Sequence, residues 1–138
     1  MTLVQVHFCA ASAWLGVVAA ESVLEQFGRD PASRQVVAKV HAWIDILFEG
    51  PLVAVVLITG GLLLARAWPA PPMLMLKVAA GLIAVVANAI CIPLVSARAR
   101  TTDDSRIIRL SRQVRMTGLA IPFGILALAI GLAGPPAH

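Results

Sequence analysis

Charge is scarce in this chain: only 13% of its 138 residues are charged, against 59% hydrophobic. With a mean hydropathy of +0.89, that balance excludes an ordinary soluble domain and places the chain in a bilayer. No period-2 alternation of apolar and polar residues separates its turns, which excludes a transmembrane β-barrel. No basic residue precedes the first apolar run, so that run reads as a retained helix, not a secretory signal. Cysteine is limited to Cys9 and Cys91, expected toward opposite ends of the bundle and too far apart for a disulfide. Both read as small buried apolar residues. Internal repeats, low-complexity tracts and nucleic-acid motifs are absent, so the pI near 10.1 carries information about membrane topology and implies no nucleic-acid partner. Neither Gly-x-Ser-x-Gly nor His-Glu-x-x-His occurs, and Ser12 and Ser22 lack a histidine and carboxylate partnership. The sequence therefore assigns no catalytic residue.

What is present is a set of apolar runs, Leu3 to Ala20, Ala42 to Leu64, Met73 to Ala97 and Met116 to Ala133. Each comes close to the roughly 20 residues that cross ~30 Å of hydrocarbon. They predict one all-α transmembrane domain over residues 1–138, an integral membrane four-helix antiparallel up-down-up-down bundle with helices at about 3–27, 32–65, 73–98 and 106–133. Gly28 is placed to close the first helix, and Asp30-Pro31 offers a cap followed by proline at the first position of the second. Trp68-Pro69-Ala70-Pro71-Pro72 interrupts the middle, and Asp104 or Ser105 is the expected cap of the fourth helix. Gly60-Gly61, Pro93 and Pro122 predict kinks or loosened hydrogen bonding. Small residues, among them Ala10, Ala11, Ala13, Gly16, Gly118, Gly124 and Gly131, predict close helix approach.

The basic residues are lopsided. Arg29, Arg34, Lys39, Arg98, Arg100, Arg106, Arg109, Arg112 and Arg115 flank the first and third connections, and only Arg66 and Lys77 flank the second. The positive-inside bias therefore puts the first and third connections in the cytoplasm and both termini outside.

Four of the seven carboxylates, Glu21, Glu25, Asp45 and Glu49, lie in or against these apolar runs, together with His7 and His41. Ionisable groups there are expensive and mark functional sites. At 100° per residue, His7, Trp14, Glu21 and Glu25 form one stripe on the first helix, and His41, Asp45 and Glu49 follow at i, i+4, i+8 on the second. Facing the two stripes buries both. Folding the chain about residues 29 and 30 sets His7 level with Leu52, and Glu49 within about 4.5 Å of rise from His7. An outer pair of His7 with Glu49 and an inner pair of His41 with Glu21 result, with Asp45 between them near Trp14. The two histidines differ in depth by roughly 16 Å, too much to share one ligand.

Imidazole and carboxylate donors together suit iron, zinc, copper or manganese. The leading expectation is a divalent-metal site between the first two helices, with Glu21, Glu25, His41 and Asp45 as inner ligands and Glu49 with His7 as an outer site or relay, serving metal binding or translocation. Arg112, Arg115 or Lys39 could instead neutralise Glu21 and Glu25 as structural ion pairs. Asn88, with Lys77 and Cys91 on about the same face, could extend a proton or ion path or bond a neighbouring helix. Met73 and Met75, expected near the level of His7, would suit Cu(I) or simply pack. An accessory subunit of a larger membrane complex, or a homodimer packed through its small residues, is the reading without chemistry.

The pattern His7-x6-Trp14-Leu15-Gly16 resembles the first helix of the copper-resistance D family and related small four-helix bacterial membrane proteins. A similar histidine opens the four-helix protoporphyrinogen oxidase family, and Arg109-Leu110-Ser111-Arg112 is a second echo. The resemblance implies a bacterial-type inner membrane and copper handling or haem binding, with His7 as the position carried over. Haem is the alternative cofactor; bis-histidine ligation would need two copies of the chain or a different second ligand. The segment from His41 through Pro51 is not part of either family's pattern.

Overall fold

The computed structural model describes residues 1–28 and 30–133; Arg29, one of the basic residues assigned to the first connection, lies outside them. Among the described residues the regular structure is helical throughout, arranged as four rods. The first is α1 (Leu3–Phe27). The second joins α2 (Pro31–Ile44) to α3 (Gly50–Arg66) through a π-helical turn at Asp45–Glu49. The third is α4 (Pro72–Arg100), and the fourth joins α5 (Asp104–Met116) to α6 (Ala120–Ala133) through a 3₁₀ turn at Thr117–Leu119. All four rods are long and apolar enough to cross a membrane.

Side-chain contacts give the direction of the rods. His7 meets Thr59 while Glu25 meets His41, so the first two rods run antiparallel. Arg98 joins Glu25 and Ser111 at that same end, and Lys77 lies against Gly131 at the other, so the third and fourth rods also alternate. Each rod packs against its neighbours in chain order, and α1 closes the ring against α6.

Local signals explain the ends. Thr2 and Gln5 form a reciprocal capping box at the start of α1. Asp30 accepts the backbone N–H of Ser33 at 3.0 Å. The cap of α5 is Asp103, not Asp104 or Ser105: its Oδ1 accepts the Ser105 hydroxyl and the backbone N–H groups of Ser105 and Arg106. The Ser105 side-chain bond, with those backbone bonds, holds this carboxyl below the usual carboxylate range. Gly28 closes α1 with φ near −80°, so it serves close approach, not a left-handed turn: a Cβ there would come within 3.3 Å of Val37 Cγ1.

Two prolines reshape their rods and one does not. Pro51 has no N–H for the carbonyl four residues back, and its ring crowds that carbonyl. The turn ahead of it widens, and the Gly50 N–H reaches Asp45 O. Pro122 likewise has no N–H for the carbonyl four residues back, but here the turn ahead tightens to 3₁₀ at Thr117–Leu119, where the Thr117 hydroxyl also bonds Val114 O at 2.6 Å. Around Pro93 and Gly60-Gly61 the helices are continuous.

The interior is inverted relative to a soluble protein. Asp45 and Glu49 are each 1% exposed, whereas Phe48 and Ile58 are 57% and 64% exposed. The apolar core proper is a layer of Trp14, Val18, Ala84 and Ala120 with Leu52 and Phe123 packed on it, drawing on all four rods. Ala84 is fully buried in that layer. Ala84→Leu is expected to lose about 1–3 kcal/mol by overpacking, measured as denaturant unfolding in detergent; unchanged stability would show the layer to be loose.

Candidate metal centre

The two polar stripes face each other, and a side chain absent from both holds them. Arg98, on the third rod, forks onto Glu25: Nη1 donates to Oε2 at 2.7 Å and Nη2 to Oε1. Nη1 also reaches Ser111 Oγ at 3.2 Å, which ties the fourth rod to the same point. Glu25 Oε1 in turn lies 2.5 Å from His41 Nδ1. A nitrogen that close to a carboxylate oxygen carries the proton, even though the Arg98 guanidinium lies 3.4 Å away on the same nitrogen.

The proton assignment directs the other side of the ring. His41 Nε2 faces Glu21 Oε2 and Asp45 Oδ1, each at 3.7 Å. An N–H at Nε2 would find no acceptor within hydrogen-bond distance in either direction. The three donor atoms of Glu21, His41 and Asp45 lie within 4.8 Å of one another, and all three residues are buried. Glu21 Oε1 and both Asp45 oxygens are buried without a hydrogen-bond partner among the described residues. Two donor atoms held about 2.1 Å from a tetrahedral cation lie about 3.4 Å apart, so each 3.7 Å span is within a few tenths of an ångström of such a geometry.

Glu49 stands one layer deeper. The Trp14 indole N–H donates to its Oε1 at 3.0 Å. Asp45 and Glu49, four residues apart, share one buried face of the π turn, as they would in a regular helix. Beside these groups, on the connection side of Trp14, a cavity of about 430 Å³ is lined by Glu21, His41, Glu49, Asn88 and Cys91, and reaches Arg115 and Gln26 at the surface.

Several expectations change. The outer pair of His7 with Glu49 does not form: His7 Nδ1 bonds Thr59 Oγ1 at 2.8 Å, and Glu49 bonds Trp14 in the place expected for Asp45. Each side chain leans toward its own N-terminus, so antiparallel partners meet displaced from a Cα fold-back, and the connection consumes further residues. The Thr59 hydroxyl is already committed to Val55 O at 2.6 Å, so His7 is the donor in their bond. Gly60 admits the ring, since a Cβ there would lie 3.1 Å from His7 Cε1.

Lys39, Arg112 and Arg115 are exposed, and none pairs with Glu21 or Glu25 among the described residues; Arg98 takes that role. Lys77 lies against Gly131, away from Glu49. Asn88 and Cys91 share the buried face of α4 and line the cavity, and both cysteines are free thiols. Met73 and Met75 are exposed. Arg98 was within reach of the sequence: it follows Cys91 by seven positions and Asn88 by ten, on the same helical face.

Removing the guanidinium would strand a buried carboxylate. Arg98→Met is expected to cost about 3–5 kcal/mol of stability, with part regained in the Glu25→Gln/Arg98→Met double variant, both read from thermal unfolding in detergent; additive losses would mean the two residues do not act as a pair. Comparison with protein-family models, with curated proteins and with solved structures gave no match.

Proposed function

We propose that this chain is an integral membrane protein that binds a divalent transition metal between its first two helical rods. His41 Nε2, Glu21 and Asp45 are the ligands, and Glu25, fixed by Arg98, orients the imidazole. The observation that carries this reading is the pair of 3.7 Å spans from an imidazole nitrogen whose opposite nitrogen is held by a carboxylate. Carboxylate, histidine and metal in series is a common arrangement, because the carboxylate fixes the tautomer and raises the basicity of the ligating nitrogen. Charge supports it as well. Glu21, Glu25, Asp45 and Glu49 share the interior with one buried arginine among the described residues, Arg98, which pairs with Glu25, and a dry interior leaves the surplus negative charge uncompensated unless a cation or protons supply the balance.

The donors are nitrogen and oxygen, which favours zinc, iron or manganese over Cu(I). Cys91 is not among the clustered donor atoms, and Met73 and Met75 point to the surface. His7, the position implied by the copper-resistance D resemblance, has Thr59 as its partner and lies outside this cluster, so it is proposed as a structural or relay residue. For the whole molecule the reading is a multi-pass protein of a bacterial-type inner membrane, with both termini outside and the arginine-rich connections in the cytoplasm. Its support is the lopsided basic charge together with the buried carboxylates and exposed large apolar residues.

The test is elemental analysis of detergent-purified protein with a visible spectrum. Stoichiometric metal is expected, lost in His41→Ala, Glu21→Gln and Asp45→Asn, with affinity reduced about 10–100-fold in Glu25→Gln. Absence of metal after reconstitution with zinc, iron, manganese and copper would contradict the reading and favour protons on the carboxylates. A Soret band would transfer it to haem.

A further inference from the structure

We infer that the His41 centre is a one-sided vestibule: a hydrated divalent cation reaches it only from the arginine-rich end of the bundle, and a four-rod apolar layer closes it from the end that carries the termini. The ligand in this inference rests on the metal reading above; the one-sidedness rests on the cavity and the layer.

The cavity is placed asymmetrically. On α1 it is lined from Val18 to Gln26, entirely on the connection side of Trp14. On the fourth rod its lining runs from Val114 to Ala120, around the 3₁₀ turn that Pro122 imposes. Gln26 and Arg115 are exposed, which puts the mouth between the end of α1 and the end of α5.

The opposite wall is dry. Val18 and Ala120 belong both to the cavity lining and to the apolar layer with Trp14 and Ala84, and Leu52, Val53, Ile121 and Phe123 extend that layer around all four rods. Within the layer, Leu15 packs so closely on Gly124 that a Cβ there would fall 2.5 Å from Leu15 Cδ2. The Trp14 indole N–H donates to Glu49 Oε1 at 3.0 Å, so the layer itself supplies a partner for this carboxyl.

Size and polarity fit a cation that arrives with its water. About six waters at ~30 Å³ each occupy ~180 Å³, well inside a cavity of about 430 Å³. Ser22, Gln26, Asn88 and Thr117 offer polar groups along the wall, so water can be exchanged for protein oxygen on the way to His41. Carboxylates outnumber the exposed Arg115 on the lining, and Arg98 already balances Glu25. Glu21, whose Oε1 has no partner among the described residues, is on this lining, and so is His41, whose Nε2 lies 3.7 Å from Asp45 Oδ1.

Cys91 lines the cavity and reports on access to it. In a Cys9→Ser background, protein reconstituted in sealed vesicles is treated from outside with a small membrane-impermeant cationic methanethiosulfonate. Thr102→Cys and Ala67→Cys, exposed on connections at opposite ends, mark which face is outward. Cys91 is expected to react from the Thr102 face alone and to be slowed at least tenfold by Zn²⁺, with that protection lost in His41→Ala. Trp14→Ala is expected to admit the reagent from both faces. Reaction from the Ala67 face in the parent, or no reaction at either Cys91 or a Ser22→Cys reporter, would overturn the vestibule. One-sided reaction that Zn²⁺ does not slow would uphold the vestibule and sink the metal.

Discussion

The rest of the arrangement depends on one buried guanidinium. Arg98 reaches from the third rod to Glu25 on the first, and through Glu25 it sets the ring of His41 on the second, while Ser111 brings in the fourth. A desolvated fork of this kind is poor evidence of net stability, because stripping water from both ions offsets much of their attraction. Its value lies in geometry. With Nδ1 committed to Glu25, the imidazole presents Nε2 to Glu21 Oε2 and Asp45 Oδ1, each 3.7 Å away. No protein donor among the described residues meets Glu21 Oε1 or either Asp45 oxygen, so a cation or protons must balance them.

The second constraint is the proline at the middle of the second rod. Pro51 interrupts the helical ladder, and the π turn that results carries Asp45 and Glu49, both buried. Asp45 then sits in the plane of His41 and Glu49 in the next layer, under Trp14. Pro122 acts in parallel, since the 3₁₀ turn ahead of it forms part of the cavity wall. Both helix defects therefore border the same space, as such defects commonly do at functional sites.

Much of this was legible in the chain. Apolar run length gave four helical rods, because crossing a bilayer demands a minimum length and leaves no ambiguity with strands. Helical periodicity placed His7, Trp14, Glu21 and Glu25 on one stripe and His41, Asp45 and Glu49 on another, and the two stripes do face each other. Register was not legible, since it depends on how the connection spends its residues and on side-chain lean, and this moved His7 from Glu49 to Thr59. The partner of Glu25 was missed for a different reason. Arg98 sits among other arginines near a helix end, where it reads as topology, and only its place on the face of Asn88 and Cys91 sets it apart. The π turn left a trace in Gly50-Pro51, but proline in a sequence marks a defect without specifying its form.

The central claim is that His41 presents Nε2 to a cation shared with Glu21 and Asp45. X-ray absorption at the zinc edge of protein loaded with one equivalent of Zn²⁺ tests it most directly. The account predicts a shell of nitrogen and oxygen at about 2.0–2.2 Å with the outer-shell signature of one imidazole, which disappears in His41→Ala and persists in His7→Ala. A sulfur shell near ~2.3 Å, or an imidazole signature lost with His7 and kept without His41, would contradict it.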